Sequence, residues 1–219
     1  RIGVMGYSAR QENIVKVVSL LITIAVARAL GEVDFGTFSF ALSFTALFGL
    51  LINWGFRTLL TWKIAKERER AGALVGSALA IQAVLSVAAF GLLALLVRLI
   101  GADPGTARAV FIAAGAMIFQ TLADTPEAAF QAFEKLAYNA AFKMMRVATR
   151  ALVVFPLLFL GYGLHAVLWA YLFVMAFNLA LVLLFFHAKV SRLSLGAASR
   201  EARGLFADGF FFAVKSGFD

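Results

Sequence analysis

The sequence predicts an all-α fold: a polytopic bundle of transmembrane helices, with six spans and the start of a seventh. Three observations predict it. Hydrophobic residues make up 63% of the chain and charged residues 15%, with a mean hydropathy of +0.91. Water-soluble domains run at about 45–50% apolar and about 25% charged, so this excess is too large for a solvated surface. The apolar residues fall in six long runs, and a helix needs roughly 20 such residues to cross a hydrocarbon core. Finally, the connectors between runs are alternately rich and poor in Lys and Arg, as cytoplasmic and external loops are.

Taken in order, span one covers about Asn13 to Leu30 and ends at Gly31. Span two runs from about Thr37 to Phe56. The stretch Trp62 to Arg70 is either a short amphipathic helix at the interface or a solvated charge run finishing span two. Span three extends from about Gly72 to Ile100, long enough to tilt. The connector Gly101-Ala102-Asp103-Pro104-Gly105 has turn chemistry. Span four runs from about Ala107 towards Phe133, and Pro126 within it removes a backbone donor and predicts a kink. Span five covers about Ala140 to Leu160 and is closed by Gly161-Tyr162-Gly163; span six runs from about Leu164 to Phe186. A basic connector, His187 to Arg203, then leads to a new apolar run, Phe210-Phe211-Phe212-Ala213-Val214. The chain starts at Arg1 without a Met and stops within that run, which reads as part of a longer protein. The expected division is residues 1–204 as a six-helix lobe and 205–219 as the opening of span seven.

Orientation follows from the basic residues. The N-terminal stretch with the start of span one, the connectors after spans two and six, and the region from the exit of span four into the first half of span five hold sixteen Lys and Arg, while the opposite side can claim only Arg28, Arg98 and Arg108. The N-terminus is therefore expected in the cytoplasm. The same bias accounts for the net charge of +8 without nucleic acid, because the cations sit in connectors and not on one soluble face. There is no Cys, which excludes disulfides and thiol nucleophiles. No P-loop is present, His165 and His187 are too far apart for metal spacing, and Ser191 and Ser194 lack an obvious base. No cofactor, metal or catalytic group is expected.

Ionisable residues within a span are costly and usually face a cavity or a partner, so they are the candidate functional residues. Lys16 either snorkels to the cytoplasmic headgroups or lines a cavity. Arg28, twelve residues on, either anchors an outer phosphate or shares a cavity-lining stripe with Lys16. Asp124 and Glu127 lie three apart around Pro126 and are candidates for a coupling ion or proton; alternatively, span four ends near Asp124 and both sit at its edge. Arg146 and Arg150 share a face of span five, as substrate cations or as positive-inside residues. Asn53 and Asn178 read as interhelical amides.

The segment from Ala27 to Phe40, ARALGEVDFGTFSF, closely resembles the first-loop signature of the polysaccharide flippases. These form the O-antigen and exopolysaccharide branch of the multidrug/oligosaccharidyl-lipid/polysaccharide exporter superfamily. Phe130-Gln131-Ala132-Phe133-Glu134-Lys135 with Tyr138-Asn139 looks like that family's span-four exit, and Leu160-Gly161-Tyr162-Gly163-Leu164 like its approach to span six. The resemblance implies two six-helix lobes around a central cavity, this chain supplying the N-terminal one. It implies transport of undecaprenyl-pyrophosphate-linked glycan across the inner membrane of a prokaryote by alternating access, with cavity cations holding the pyrophosphate. Arg28 falls within the matching motif and is the leading candidate; Lys16, Arg146 and Arg150 rest on their position alone. The expected partners are membrane lipids, the lipid-linked glycan, a C-terminal half of the same chain and other polysaccharide-assembly proteins. Two alternatives stand beside this reading. One is a cation-coupled drug or metabolite antiporter of the same superfamily, which a carboxylate site would favour. The other is a membrane-embedded glycan polymerase or ligase, which usually needs a larger external loop than any here.

Overall fold

The computed structural model describes residues 2–53, 55–134 and 136–190, and within them the side chains from residue 13 onward except that of residue 136. The basic connector beyond Val190 and the expected opening of span seven lie outside the described residues. Within them the chain is helical: α1 (Ile2–Asn53), α2 (Phe56–Lys66), α3 (Ala71–Ile100), α4 (Pro104–Ala132), α5 (Leu136–Phe159) and α6 (Leu164–Lys189), with a short 3₁₀ turn at Arg68–Arg70. Four helical stretches are long and apolar enough to cross a membrane: Asn13–Lys66, Arg68–Ile100, Pro104–Ala132 and Leu164–Lys189. The charged α5 is not among them.

The 52 residues of α1 are not one rod. Gly31 has φ 75° and ψ 177°, a conformation that only glycine adopts at little cost, and the chain folds back there. Ser19 on the first arm and Thr45 and Gly49 on the second all come to the neighbourhood of Arg150. In a straight helix Ser19 and Gly49 would stand about 45 Å apart.

Two further reversals share one construction. After α3, the Gly101 amide donates to the Arg98 carbonyl (3.2 Å) and the Ala102 amide to Val97 (3.4 Å). After α5, Gly161 donates to Leu158 (3.1 Å) and Tyr162 to Leu157 (3.0 Å). Both are Schellman closures with glycine in the left-handed region. Asp103 then caps α4, its carboxylate accepting from the Thr106 amide at 2.9 Å, and those hydrogen bonds hold the Asp103 carboxyl below the usual aspartate range.

The stretch Trp62–Arg70 is not a separate interfacial helix. Its first half finishes α2, with Ile64 buried, and residues 65–70 are exposed. Pro126 does not end α4 either: the helix runs through it to Ala132. Asp124 and Glu127 therefore stand eight and five residues inside the helix, not at its edge.

Packing divides the bundle into three layers. One apolar cluster gathers Ile22, Val26, Phe38, Phe48, Leu93, Val110, Val154, Leu164 and Leu168, with Leu30, Ala102 and Leu158 against it. It fills the end where the three glycine turns lie. A second cluster, with Phe56, Leu60, Ile64, Val75, Phe130, Phe142, Val182 and Phe186, fills the end carrying the basic connectors. Between the clusters each helix changes character. Asn53 lies between Ile52 and Phe56, Gln82 and Ser86 between Ala78 and Ala89, Asp124 and Glu127 between Ala116 and Ala128. Arg146 and Arg150 lie between Phe142 and Val154, and Asn178 between Met175 and Val182. The result is a polar belt held between two apolar layers, and it positions the candidate site.

Candidate substrate-binding crevice

Two adjoining crevices open into the belt and share Gln120, Asp124, Arg150 and Met175. The first, of about 380 Å³, is lined by the second arm of α1 and by α4, through Thr45, Asn53 and Thr121, and reaches Tyr171 on α6. The second, of about 330 Å³, is lined by Ser19 on α1, Arg57 on α2, Glu127 on α4 and Lys143, Arg146 and Arg150 on α5. Four cations face two carboxylates there.

The spacing on α5 explains how its cations converge. Lys143, Arg146 and Arg150 stand at i, i+3 and i+7, one face of a helix. That face meets Asp124 and Glu127, which are three apart on α4. Arg146 donates from Nη2 to Glu127 Oε1 at 2.6 Å, and its Nη1 lies 4.0 Å from Asp124 Oδ1. The Glu127 side chain is only 1% exposed and that of Arg146 14%, so this is a buried, charge-assisted pair. Arg150, one turn further, donates from Nη2 to Ser19 Oγ at 2.9 Å, and its guanidinium lies 5.2 Å from the Tyr171 ring centroid. That contact has cation–π geometry. The Nε groups of both arginines are buried without a hydrogen-bond partner.

Behind this face the belt closes with neutral groups. Thr125 donates to Gln82 Oε1 at 2.5 Å, linking α4 to α3, and Asn178 is buried on α6.

Of the residues the sequence singles out, the structure brings together Asp124, Glu127, Arg146 and Arg150. It does not bring Lys16 and Arg28 to them: both are exposed and line neither crevice. Nor do those two share a stripe. Twelve residues at 3.6 per turn make three turns and a third, which leaves them about 120° apart. The face of the first arm that meets the bundle carries Ser19, Ile22 and Val26, at i, i+3 and i+7. Arg28 lies about half a turn round from Ser19, and Lys16 about a sixth. Asn53 lines the first crevice.

Sequence reasoning missed Arg57, Lys143, Ser19, Gln120 and Tyr171. Lys143 was legible, because it continues the face of Arg146 and Arg150. Arg57 was not, since it follows span two as any positive-inside residue does.

Chemically, the crevice offers guanidinium and ammonium donors at several positions, hydroxyl and amide groups, and an aromatic face. This set suits an anion with several oxygens better than a neutral solute. Among the described residues, no group of three or more His, Asp and Glu could hold a metal ion.

Comparison with known proteins adds one finding. A family model described as "Polysaccharide biosynthesis protein" matches residues 7–218, nearly the whole chain. No curated protein and no solved structure matches it.

Proposed function

The chain belongs to the polysaccharide biosynthesis protein family, and from that premise we propose that it is a flippase for lipid-linked glycan. In this reading it moves an undecaprenyl-pyrophosphate-linked oligosaccharide across the cytoplasmic membrane by alternating access, as a transporter and not an enzyme. The six crossings are the two arms of α1, the second continued by α2, and α3 to α6. The glycine end faces outward and the basic end faces the cytoplasm.

The observation that carries the reading is the crevice in the polar belt, where four cations face two carboxylates. Their surplus positive charge would be neutralised by a diphosphate. Arg150 is the principal ligand: it is held by a hydroxyl and a ring and by no carboxylate, so its charge is left for the substrate. Arg57 and Lys143 stand beside it, and Arg146 is restrained by Glu127 until a phosphate competes. Asp124 faces both crevices and is the carboxylate assigned to a coupling proton or cation. Lys16 lies towards the crevice face, and Arg28 anchors the outer end of the first arm.

The test is surface glycan display in a flippase-null strain complemented with the full-length protein, normalised to membrane protein level. Arg150→Ala removes charge-assisted hydrogen bonds of about 1.5–3 kcal/mol and should cut export roughly tenfold to a hundredfold. Arg150→Lys should recover it in part, because the charge returns without the planar fork. Arg28→Ala should be mild. Near-normal export by Arg150→Ala would overturn the assignment. The second reading, a cation-coupled antiporter of drugs or metabolites, is favoured by Asp124 alone. It would gain if the complemented strain displayed no glycan yet expelled a cationic drug.

A further inference from the structure

Away from the belt, towards the glycine end, α4 and α6 frame another open crevice of about 480 Å³. It is lined by Arg108, Phe111, Ile112, His165, Trp169 and Leu172. We infer that this crevice seats one anionic glycerophospholipid, its phosphodiester held by Arg108 and His165 and its acyl chains laid on the apolar residues deeper in.

The chemistry is graded along the helices. Arg108 is the fifth residue of α4 and His165 the second of α6, so both polar groups sit at the mouth. Phe111, Ile112, Trp169 and Leu172 follow three to seven residues later, about 5–10 Å deeper at 1.5 Å per residue. That is the order of groups in a phospholipid, headgroup first and then chains. The floor is set by a close approach: a Cβ on Gly115 would stand 2.9 Å from Leu172 Cδ1, so α4 and α6 touch just below the cavity.

His165 Nε2 is buried with no hydrogen-bond partner, although its ring lines the crevice. A turn of the ring towards the crevice would bring this unsatisfied atom to a headgroup oxygen or hydroxyl. Trp169 is 58% exposed, as aromatic residues at the membrane interface are. The choice of an anionic headgroup follows from what lines the cavity. Arg108 is a fixed cation and no Asp or Glu is present, so the ammonium of a zwitterionic lipid finds no partner there. The outer-leaflet placement rests on the orientation proposed above; the binding itself does not.

The experiment uses the full-length protein with Trp169 as its only tryptophan, the others replaced by Phe, reconstituted in vesicles. Trp169 fluorescence is quenched with brominated phosphatidylglycerol or with brominated phosphatidylcholine of the same chains. Phosphatidylglycerol should quench preferentially. Arg108→Gln should reduce that preference about fivefold, the effect of one interfacial cation, with phosphatidylcholine quenching unchanged because the exposed Arg108 supports no packing. Equal quenching by the two lipids, or an unchanged preference in Arg108→Gln, would overturn the inference. Loss of the preference on adding equimolar polyprenyl phosphate would reassign the crevice to the carried lipid and would also overturn it. Glycan export is not the readout, so failure of the flippase reading and failure of this one are distinguishable.

Discussion

Breaking the Arg146–Glu127 pair from its two sides should have unequal costs. Glu127 is 1% exposed and its carboxylate has Arg146 at 2.6 Å. Arg146→Ala therefore strands a buried charge, and such losses run at about 3–5 kcal/mol. Glu127→Ala leaves Arg146 in a different position. The side chain is 14% exposed, lines the crevice and keeps Asp124 at 4.0 Å, so the expected cost is about 1–2 kcal/mol. Replacing both by Met removes the charges together and keeps the volume, and the double variant should return to within about 1 kcal/mol of the parent. The assay is unfolding of the purified full-length protein in mixed micelles by increasing SDS, followed by circular dichroism. Equal costs for the two single variants would refute the reasoning, as would a double variant no more stable than Arg146→Ala.

Other outcomes follow from other parts of the fold. Gly115→Ile drives a branched side chain into Leu172 and should cost about 1–3 kcal/mol by overpacking, with Leu172→Ala restoring part of the loss; no rescue in the same micelle assay would count against the close approach. Because the chain has no native Cys, single cysteines report sidedness: an impermeant thiol reagent on intact cells should label Glu32→Cys and not Glu67→Cys, and the reverse pattern would invert the topology. The depressed Asp103 carboxyl contributes stability that is fully present above the unfolded aspartate pKa and is lost as pH falls through the folded one. The gap in thermal midpoint between the parent and Asp103→Ala should therefore be constant near neutrality and close in acid, and a gap independent of pH would remove the charge from the cap.

Much of the fold was legible because glycine and apolar runs are local signals. Span three was expected from Gly72 and the helix begins at Ala71; Gly31, Gly101 and Gly161 each mark a turn where the sequence placed one. The site was legible only in part. That Asp124 with Glu127, and Arg146 with Arg150, each share a face follows from spacing. That Arg146 turns to Glu127 while Arg150 reaches Ser19, 131 residues away, depends on how helices rotate against one another, which no single helix encodes. The stripe expected of Lys16 and Arg28 fails for a simpler reason: twelve residues is not a whole number of turns, whereas eleven or eighteen nearly is.

The charged face of α5 has a consequence for how the protein is made. Among the described residues, α5 is the long helix that lacks the apolarity to cross on its own, and each arginine at mid-depth costs about 2.5–3.5 kcal/mol to insert. It emerges from the ribosome directly after α4, whose Asp124 and Glu127 are the counter-charges for Arg146. On the six-crossing arrangement proposed above, biogenesis has an order: α4 must wait beside the insertion channel for α5, and the two must leave it as a pair. Removing both carboxylates from α4 would be expected to leave α5 stranded on the side of synthesis, a topology failure visible before any question of transport arises.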